Sequence, residues 1–249
     1  MNLESALGYG YVIPWSVSIY PVVWHNWRHR SASAMSIDFV IINVFGYLYL
    51  LLSLWLQLFC WQTGQEHEDS TRPKITAFDF YYCLHGVVMN MVVVSQVLWG
   101  NRVWNFKSGG SPRMKPVYRK LLIGSMIVAS LSAGQFLTHN FQMGWNNDNT
   151  LAFSNTLYAL KISMSLIKYL PQVKHNYERK TLRGFPIQSV VCDVMGSLCS
   201  LAQLVVQVTR DRTPLTTAVL SANFGRIGIA AVTLFFNFIY ISQWLVYGQ

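Results

Sequence analysis

Charge is scarce in this chain. Only 12% of its 249 residues are Asp, Glu, Lys or Arg, while 52% are hydrophobic; a typical soluble domain carries roughly 25% charged residues. This balance excludes a disordered chain and an ordinary cytosolic enzyme. Cysteine is scarce too. Cys60, Cys83, Cys192 and Cys199 sit in or at the ends of apolar runs, without a CxxC or a Cys/His zinc spacing. They read as small buried hydrophobes, not as a disulfide framework or a metal site. There is no HExxH, no GxSxG and no Asn-x-Ser/Thr sequon, and no paired intramembrane catalytic carboxylates. The expectation is a non-enzyme without metal or cofactor.

Long apolar runs and aromatics are abundant: 14 Phe, 13 Tyr and 9 Trp, a load suited to membrane interfaces. Seven runs approach the roughly 20 residues needed to span a bilayer: 5–24, 38–60, 78–99, 119–139, 151–173, 187–208 and 219–247. The net charge of +9 could suggest nucleic acid, but the basic residues lie in the segments between these runs. Of 19 Lys and Arg, ten fall in the segments after runs one, three and five and two more, Arg119 and Lys120, open run four on the same side, against four in the segments after runs two and six. By the positive-inside rule the N-terminus is lumenal and the C-terminus cytosolic.

The chain repeats itself at an offset of 150. YPVVWHNWRHRSASAMSI at 20–37 aligns without gaps with LPQVKHNYERKTLRGFPI at 170–187, pairing Pro21 with Pro171 and His25-Asn26 with His175-Asn176. Each copy ends one run, crosses a basic segment and opens the next. The two basic segments are four runs apart and so lie on the same side; repeats of three helices keep equal orientation only with an odd number of spans between them, so seven divide as three, one and three. The expectation is an all-α polytopic membrane protein: two parallel three-helix repeats joined by a linker helix, with a site between them near the midplane. Residues 1–100 form the first repeat, 101–140 a basic loop and linker helix, and 141–249 the second repeat.

Ionisable and polar groups inside such runs are costly and point to function. Asp193 lies in the middle of the sixth run. Burial disfavours the charged form of a carboxyl, so this group suits taking a proton from an acidic compartment and losing it to a neutral one. The offset pairs it with Asn43, whose plainer reading is helix–helix glue. Lys161 and Lys168 are seven apart, on one helix face and about 10 Å apart along the axis. Two such ammonium groups want anions, although Lys168 could also snorkel to the interface. Asp38 and Asp79 open their runs, where a carboxylate can cap a helix. His85 reads as a satisfied buried histidine, and Arg226 as an arginine snorkelling from the last run. Pro21 and Pro171 are candidate hinges or mere helix boundaries, with Gln172 beside the second.

KYLPQVKHNYERKTLRGFPIQ resembles the signature of the PQ-loop family. WSVSIYPVVWHNWRHRSASAMSIDFVIINVFGY, FDFYYCLHGVV and LKISMSLIKYLPQ extend the resemblance to the cystinosin family, its fungal members above all, over essentially the whole chain. The resemblance implies a SWEET-like seven-helix carrier in the vacuolar, lysosomal or endosomal membrane. Such a carrier exports L-cystine from an acidic lumen by alternating access, with protons as the coupling ion and lipid as surroundings. It implies proton-coupling roles for Asp193 and Asp79, and substrate contacts from Asn43, Lys161, Lys168, Gln172 and Asn176. The sequence departs from the family pattern at three places: Val22 replaces the first motif's glutamine, Asn237 an aspartate, and Ser189 an asparagine. Two alternatives stay open: a carrier of another amino acid or small solute, and a seven-helix sorting receptor that transports nothing.

Overall fold

An apolar segment in lipid must satisfy its backbone groups within itself, so each long run is expected to fold as a helix. The structure, a computed structural model, describes residues 2–32, 36–62, 72–106, 113–180, 187–211 and 216–247. At 171, 172, 174–176, 178, 179 and 187 it describes the backbone alone. The described residues form helices and no strand. In chain order they are α1 (Leu3–Val17), α2 (Tyr20–Arg28), α3 (Ile37–Phe59), α4 (Ala77–Val103), α5 (Pro116–Met143), α6 (Asn147–Arg179), α7 (Ile187–Arg210), α8 (Thr217–Ala222) and α9 (Phe224–Tyr247).

All seven expected runs are helical; among the described residues, five helices are long and apolar enough to cross a membrane: α3, α4, α5, α7 from Gln188, and α9. α6 has 33 residues and fails on composition, with Lys161 and Lys168 in its middle. The first run, expected to continue over 5–24, breaks after Val17. The Ser18 hydroxyl donates to the Trp15 carbonyl at 2.8 Å, and Pro21 falls in the first turn of the new helix α2. Proline is at home there, because the first-turn N–H has no intrahelical partner to lose. Pro171, in contrast, lies inside α6, whose helical run continues to Arg179. The last run is also split. Asn223 leaves helical geometry between α8 and α9; its amide donates to the Val219 carbonyl at 2.9 Å and accepts from the Lys74 backbone N–H at 2.8 Å.

α3 packs on α6 and α1 on α7; α3 also meets α4 and α7 meets α9; α1 meets α4 and α6 meets α9. α5 packs against α6 and α3 and turns residues such as Phe141, 93% exposed, outward. Ile42, Tyr49 and Leu56 of α3, Phe136 of α5, and Phe153, Leu157 and Met164 of α6 form the largest apolar core. Close approach depends on small residues, as between helices in lipid. A Cβ on Gly46 would lie 3.3 Å from the Lys161 side chain, and one on Gly196, 150 positions on, 2.6 Å from the Trp15 ring. The helix interfaces hold many buried amides and hydroxyls, among them Asn43, Ser53, Asn90, Gln96, Gln203 and Asn237. This is the inverse of a soluble core.

Candidate functional site

Asn43 of α3 is buried where α3, α4 and α6 meet. Its Nδ2 donates to Asn90 Oδ1 of α4 at 2.6 Å. Its Oδ1 accepts from Lys168 Nζ of α6 at 2.9 Å. Asn90 in turn donates through Nδ2 to the Gly86 carbonyl, one helical turn back, at 2.7 Å. The Lys168 ammonium also lies 5.5 Å from the Phe39 ring and 5.0 Å from the Tyr169 ring, and within electrostatic reach of Asp193. Two turns back, the buried Lys161 places its ammonium 4.2 Å from the Tyr47 ring centroid, in cation–π range. Gly86 makes room for that ring: a Cβ there would meet Tyr47 at 2.3 Å. Tyr47 and Tyr82 share a hydrogen bond of 2.8 Å.

A matching cluster stands in the other half. Asp193 of α7 faces Ser18, past the end of α1, and Asn237 of α9. Its backbone carbonyl accepts from Trp15 Nε1 at 3.2 Å and from the Ser197 hydroxyl at 2.8 Å. Ser18 and Lys168 are 150 residues apart, as are Asn43 and Asp193, while Asn90 and Asn237 are 147 apart. The same two offsets relate a second pair of bonds: Gln96 donates to the Val23 carbonyl at 3.2 Å, and Gln243 to the Val173 carbonyl at 2.9 Å. The clusters are geometric counterparts with different chemistry. One holds a cation on amides, the other a carboxylate beside a hydroxyl and an amide.

The structure therefore brings Asn43, Lys161, Lys168 and Asp193 together. It leaves Asp79 apart at the start of α4, where its carboxylate accepts from the Thr76 N–H at 2.8 Å and the Thr76 hydroxyl at 2.9 Å in a reciprocal cap. Asp38 does not cap its own helix; it accepts from the Lys115 N–H at 2.8 Å and ties α3 to the start of α5. The side chains of Pro171, Gln172 and Asn176 lie outside the described residues. His85 is partly buried, with a hydrogen bond of 2.9 Å to the Tyr20 hydroxyl. Among the described residues no three His, Cys, Asp or Glu side chains gather closely enough to hold a metal.

Arg226 departs from the snorkelling expectation. It is buried and donates to the Ser200 hydroxyl at 3.1 Å, the Lys74 carbonyl at 2.9 Å, Gln207 Oε1 at 3.1 Å, and Gln203. Gln203 donates to the Glu4 carbonyl and Gln207 to the Glu4 carboxylate, both at 2.8 Å. Glu4 also pairs with Arg210, and Asp211 bridges Arg210 at 3.1 Å and Lys74 at 2.6 Å. An arginine reaching the interface would meet water; turned inward, four of its five donors find convergent acceptors on α7 and on the segment before α4. This network ties α1, α7, α9 and the segment before α4 at the end of the bundle that bears the N-terminus. Hydrogen bonds from Lys74 and from Arg210 hold the Asp211 carboxyl below its ordinary value of 3.8. A depressed carboxyl stabilises above its ordinary value and loses that contribution only as pH falls through the lowered one. Weak acid therefore leaves this ion pair intact.

Sequence reasoning missed Asn90, Tyr47 and the role of Arg226. A signal for Asn90 exists: between the sequences of α4 and α9 the offset shortens from 150 to 147, which aligns Asn90 with Asn237 and Gln96 with Gln243.

Comparison with known proteins bears on the same halves. The PQ loop repeat family matches residues 3–63 and again 153–212. The chain is 50% identical over 247 residues to a cystine transporter of Saccharomyces cerevisiae, covering 99% of this chain and 95% of that one. It is 27% identical to cystinosin of Bos taurus, over 82% of this chain and 53% of that protein. It is 26% identical to cystinosin of Drosophila melanogaster, over 80% and 47%. The chain thus spans about half the length of these two animal relatives.

Proposed function

We propose that this chain, which belongs to the cystinosin family of PQ-loop proteins, carries L-cystine across the membrane of an acidic organelle into the cytosol, coupled to protons. The observation that carries the reading is the Lys168 ammonium, held on the neutral amide of Asn43 within electrostatic reach of the Asp193 carboxyl. Cystine has two carboxylates and two ammonium groups. In this reading a substrate carboxylate takes up Lys168 or Lys161, and Asn43, Gln172 and Asn176 supply neutral hydrogen bonds. Asp193 takes the proton. Neutralising it from the lumen removes a negative charge whose burial is expensive and lowers the cost of closing that side. Water on the cytosolic side draws the proton off again. Asp79 would serve as a second acidic station near the lumen, and its place in the helix cap gives it a structural task as well.

Two parallel three-helix repeats, α1-α3-α4 over residues 1–100 and α6-α7-α9 over 141–249, joined by α5 as the linker, fit this mechanism. The support is the packing. Exchanging α1, α3 and α4 for α6, α7 and α9 turns α3–α6 into α7–α1, α3–α4 into α7–α9, and α1–α4 into α6–α9. Every one of those contacts occurs. α5, which has no counterpart, lies outside the exchange. Alternating access then amounts to rocking one half against the other about the paired sites. Pro21, at the break between α1 and α2, and Pro171, inside α6, are the hinge positions in this scheme.

The test is flux of radiolabelled cystine into proteoliposomes of the purified protein, with and without an imposed pH gradient. Uptake is expected to rise with the gradient, and Asp193→Asn is expected to abolish that rise while the protein stays folded. Normal gradient-dependent uptake in Asp193→Asn would overturn the coupling role. No cystine flux from folded wild-type protein would move the substrate to another amino acid or small solute. Saturable capture of a C-terminal peptide without flux would favour a sorting receptor.

A further inference from the structure

The hydrogen bonds around Asn43 run in one direction only. At one end stands the Gly86 carbonyl, which can only accept; at the other stands the Lys168 ammonium, which can only donate. Between them lie two amides, each of which could in isolation be turned either way. The carbonyl forces Asn90 to present Nδ2 to it, at 2.7 Å. That turns Asn90 Oδ1 toward Asn43, which must answer with its own Nδ2, at 2.6 Å. Asn43 Oδ1 is then left facing Lys168, at 2.9 Å. Asn90 is 3% exposed and Asn43 7%, so water does not compete for these bonds.

We propose that Asn90 is a positioning residue for the transport site: it locks the Asn43 amide with its oxygen toward Lys168 and so sets where that ammonium waits for an anionic substrate group. The inference rests on the transport reading for its purpose, but the lock itself does not depend on cystine. Without Asn90 the Asn43 amide can turn its NH2 to Lys168, donor against donor, and the ammonium is no longer held. The other half explains why a lock is needed here and not there. Asp193 stands at the position matching Asn43, and in its ionised form a carboxylate presents acceptors on both oxygens, so that form has no wrong orientation. Asn237, at the position matching Asn90, lies beside the Asp193 carboxyl, and its Nδ2 makes no bond to a backbone carbonyl of the kind that turns Asn90.

The experiment measures Lys168 directly. Purified protein in lipid nanodiscs is reductively methylated at fixed pH without substrate, and modification at Lys168 is followed by mass spectrometry. In Asn90→Leu the labelling rate is expected to rise several-fold, because the ammonium has lost its fixed acceptor. Asn43→Leu is expected to match it, and the double variant to add nothing further, since Asn90 acts through Asn43. Asn90→Ser, which keeps a donor for the Gly86 carbonyl but is too short to span to Asn43, is expected to behave like Asn90→Leu and serves if leucine prevents folding. In proteoliposomes the same variants are expected to raise KM for cystine by about tenfold, with a smaller change in kcat. Wild-type labelling in both folded Asn90 variants overturns the lock, as do additive effects of Asn90→Leu and Asn43→Leu. Absent cystine flux in wild type, with the labelling pattern intact, leaves the lock standing and removes the proposed substrate instead.

Discussion

Arg226 shows most sharply what one buried charge does in this bundle. Its guanidinium serves acceptors on Ser200, Gln203, Gln207 and the Lys74 backbone, three of them side chains of α7. Removing it strands those acceptors where water does not reach, at about 1–3 kcal/mol for each unsatisfied group. Arg226→Leu is therefore expected to cost roughly 2–4 kcal/mol in reversible unfolding from mixed micelles; stability equal to wild type would mean that the network carries no weight. Position alone did not reveal this. An arginine near a span end reads equally well as inward or snorkelling, and the acceptors lie 19 to 152 residues away in sequence. Asp193 and the two lysines were legible, because an ion in an apolar run is costly wherever it points. Asn90 was not: an amide is affordable in a span, and its meaning depends on Asn43, 47 positions earlier.

At the scale of the helix, glycines divide by what they face. A Cβ on Gly225 of α9 would lie 2.0 Å from the buried ring of Tyr158 of α6. Gly134 of α5 faces nothing within 4 Å. Gly225→Ala is expected to destabilise by about 1–3 kcal/mol through forced ring displacement. Gly134→Ala is expected to be neutral or to gain up to about 1 kcal/mol from helix propensity. Unfolding of the two variants side by side checks both; equal effects would contradict the tight α6–α9 seam. Helix existence was readable from apolar length in every run. The breaks at Ser18 and Asn223 were not, because each follows from side-chain bonds to the backbone that compete with the helical ladder, and hydropathy contains no such term.

For the whole molecule, the charge asymmetry predicts direction. Ten of 19 basic residues lie in the segments after the first, third and fifth apolar runs, with Arg119 and Lys120 opening the fourth, so by the positive-inside rule a tag at the N-terminus is expected to be protease-protected in sealed organelles, while one at the C-terminus is cleaved. The reverse pattern would invert the proposed direction of transport. The sequence alone determined that the chain is helical and apolar enough for a membrane, that it is internally repeated, and that Asp193, Lys161 and Lys168 are ions in apolar surroundings. These are properties of composition, period and the cost of desolvation, and each can be evaluated along the chain without knowing what lies opposite. Tertiary structure alone decided which helices touch, that Arg226 turns inward, and that Lys168 rests on Asn43, 125 residues away. Those contacts depend on how each helix is rotated about its axis and crosses its neighbours, and that is settled by side-chain packing between helices, not by the hydropathy of any one of them.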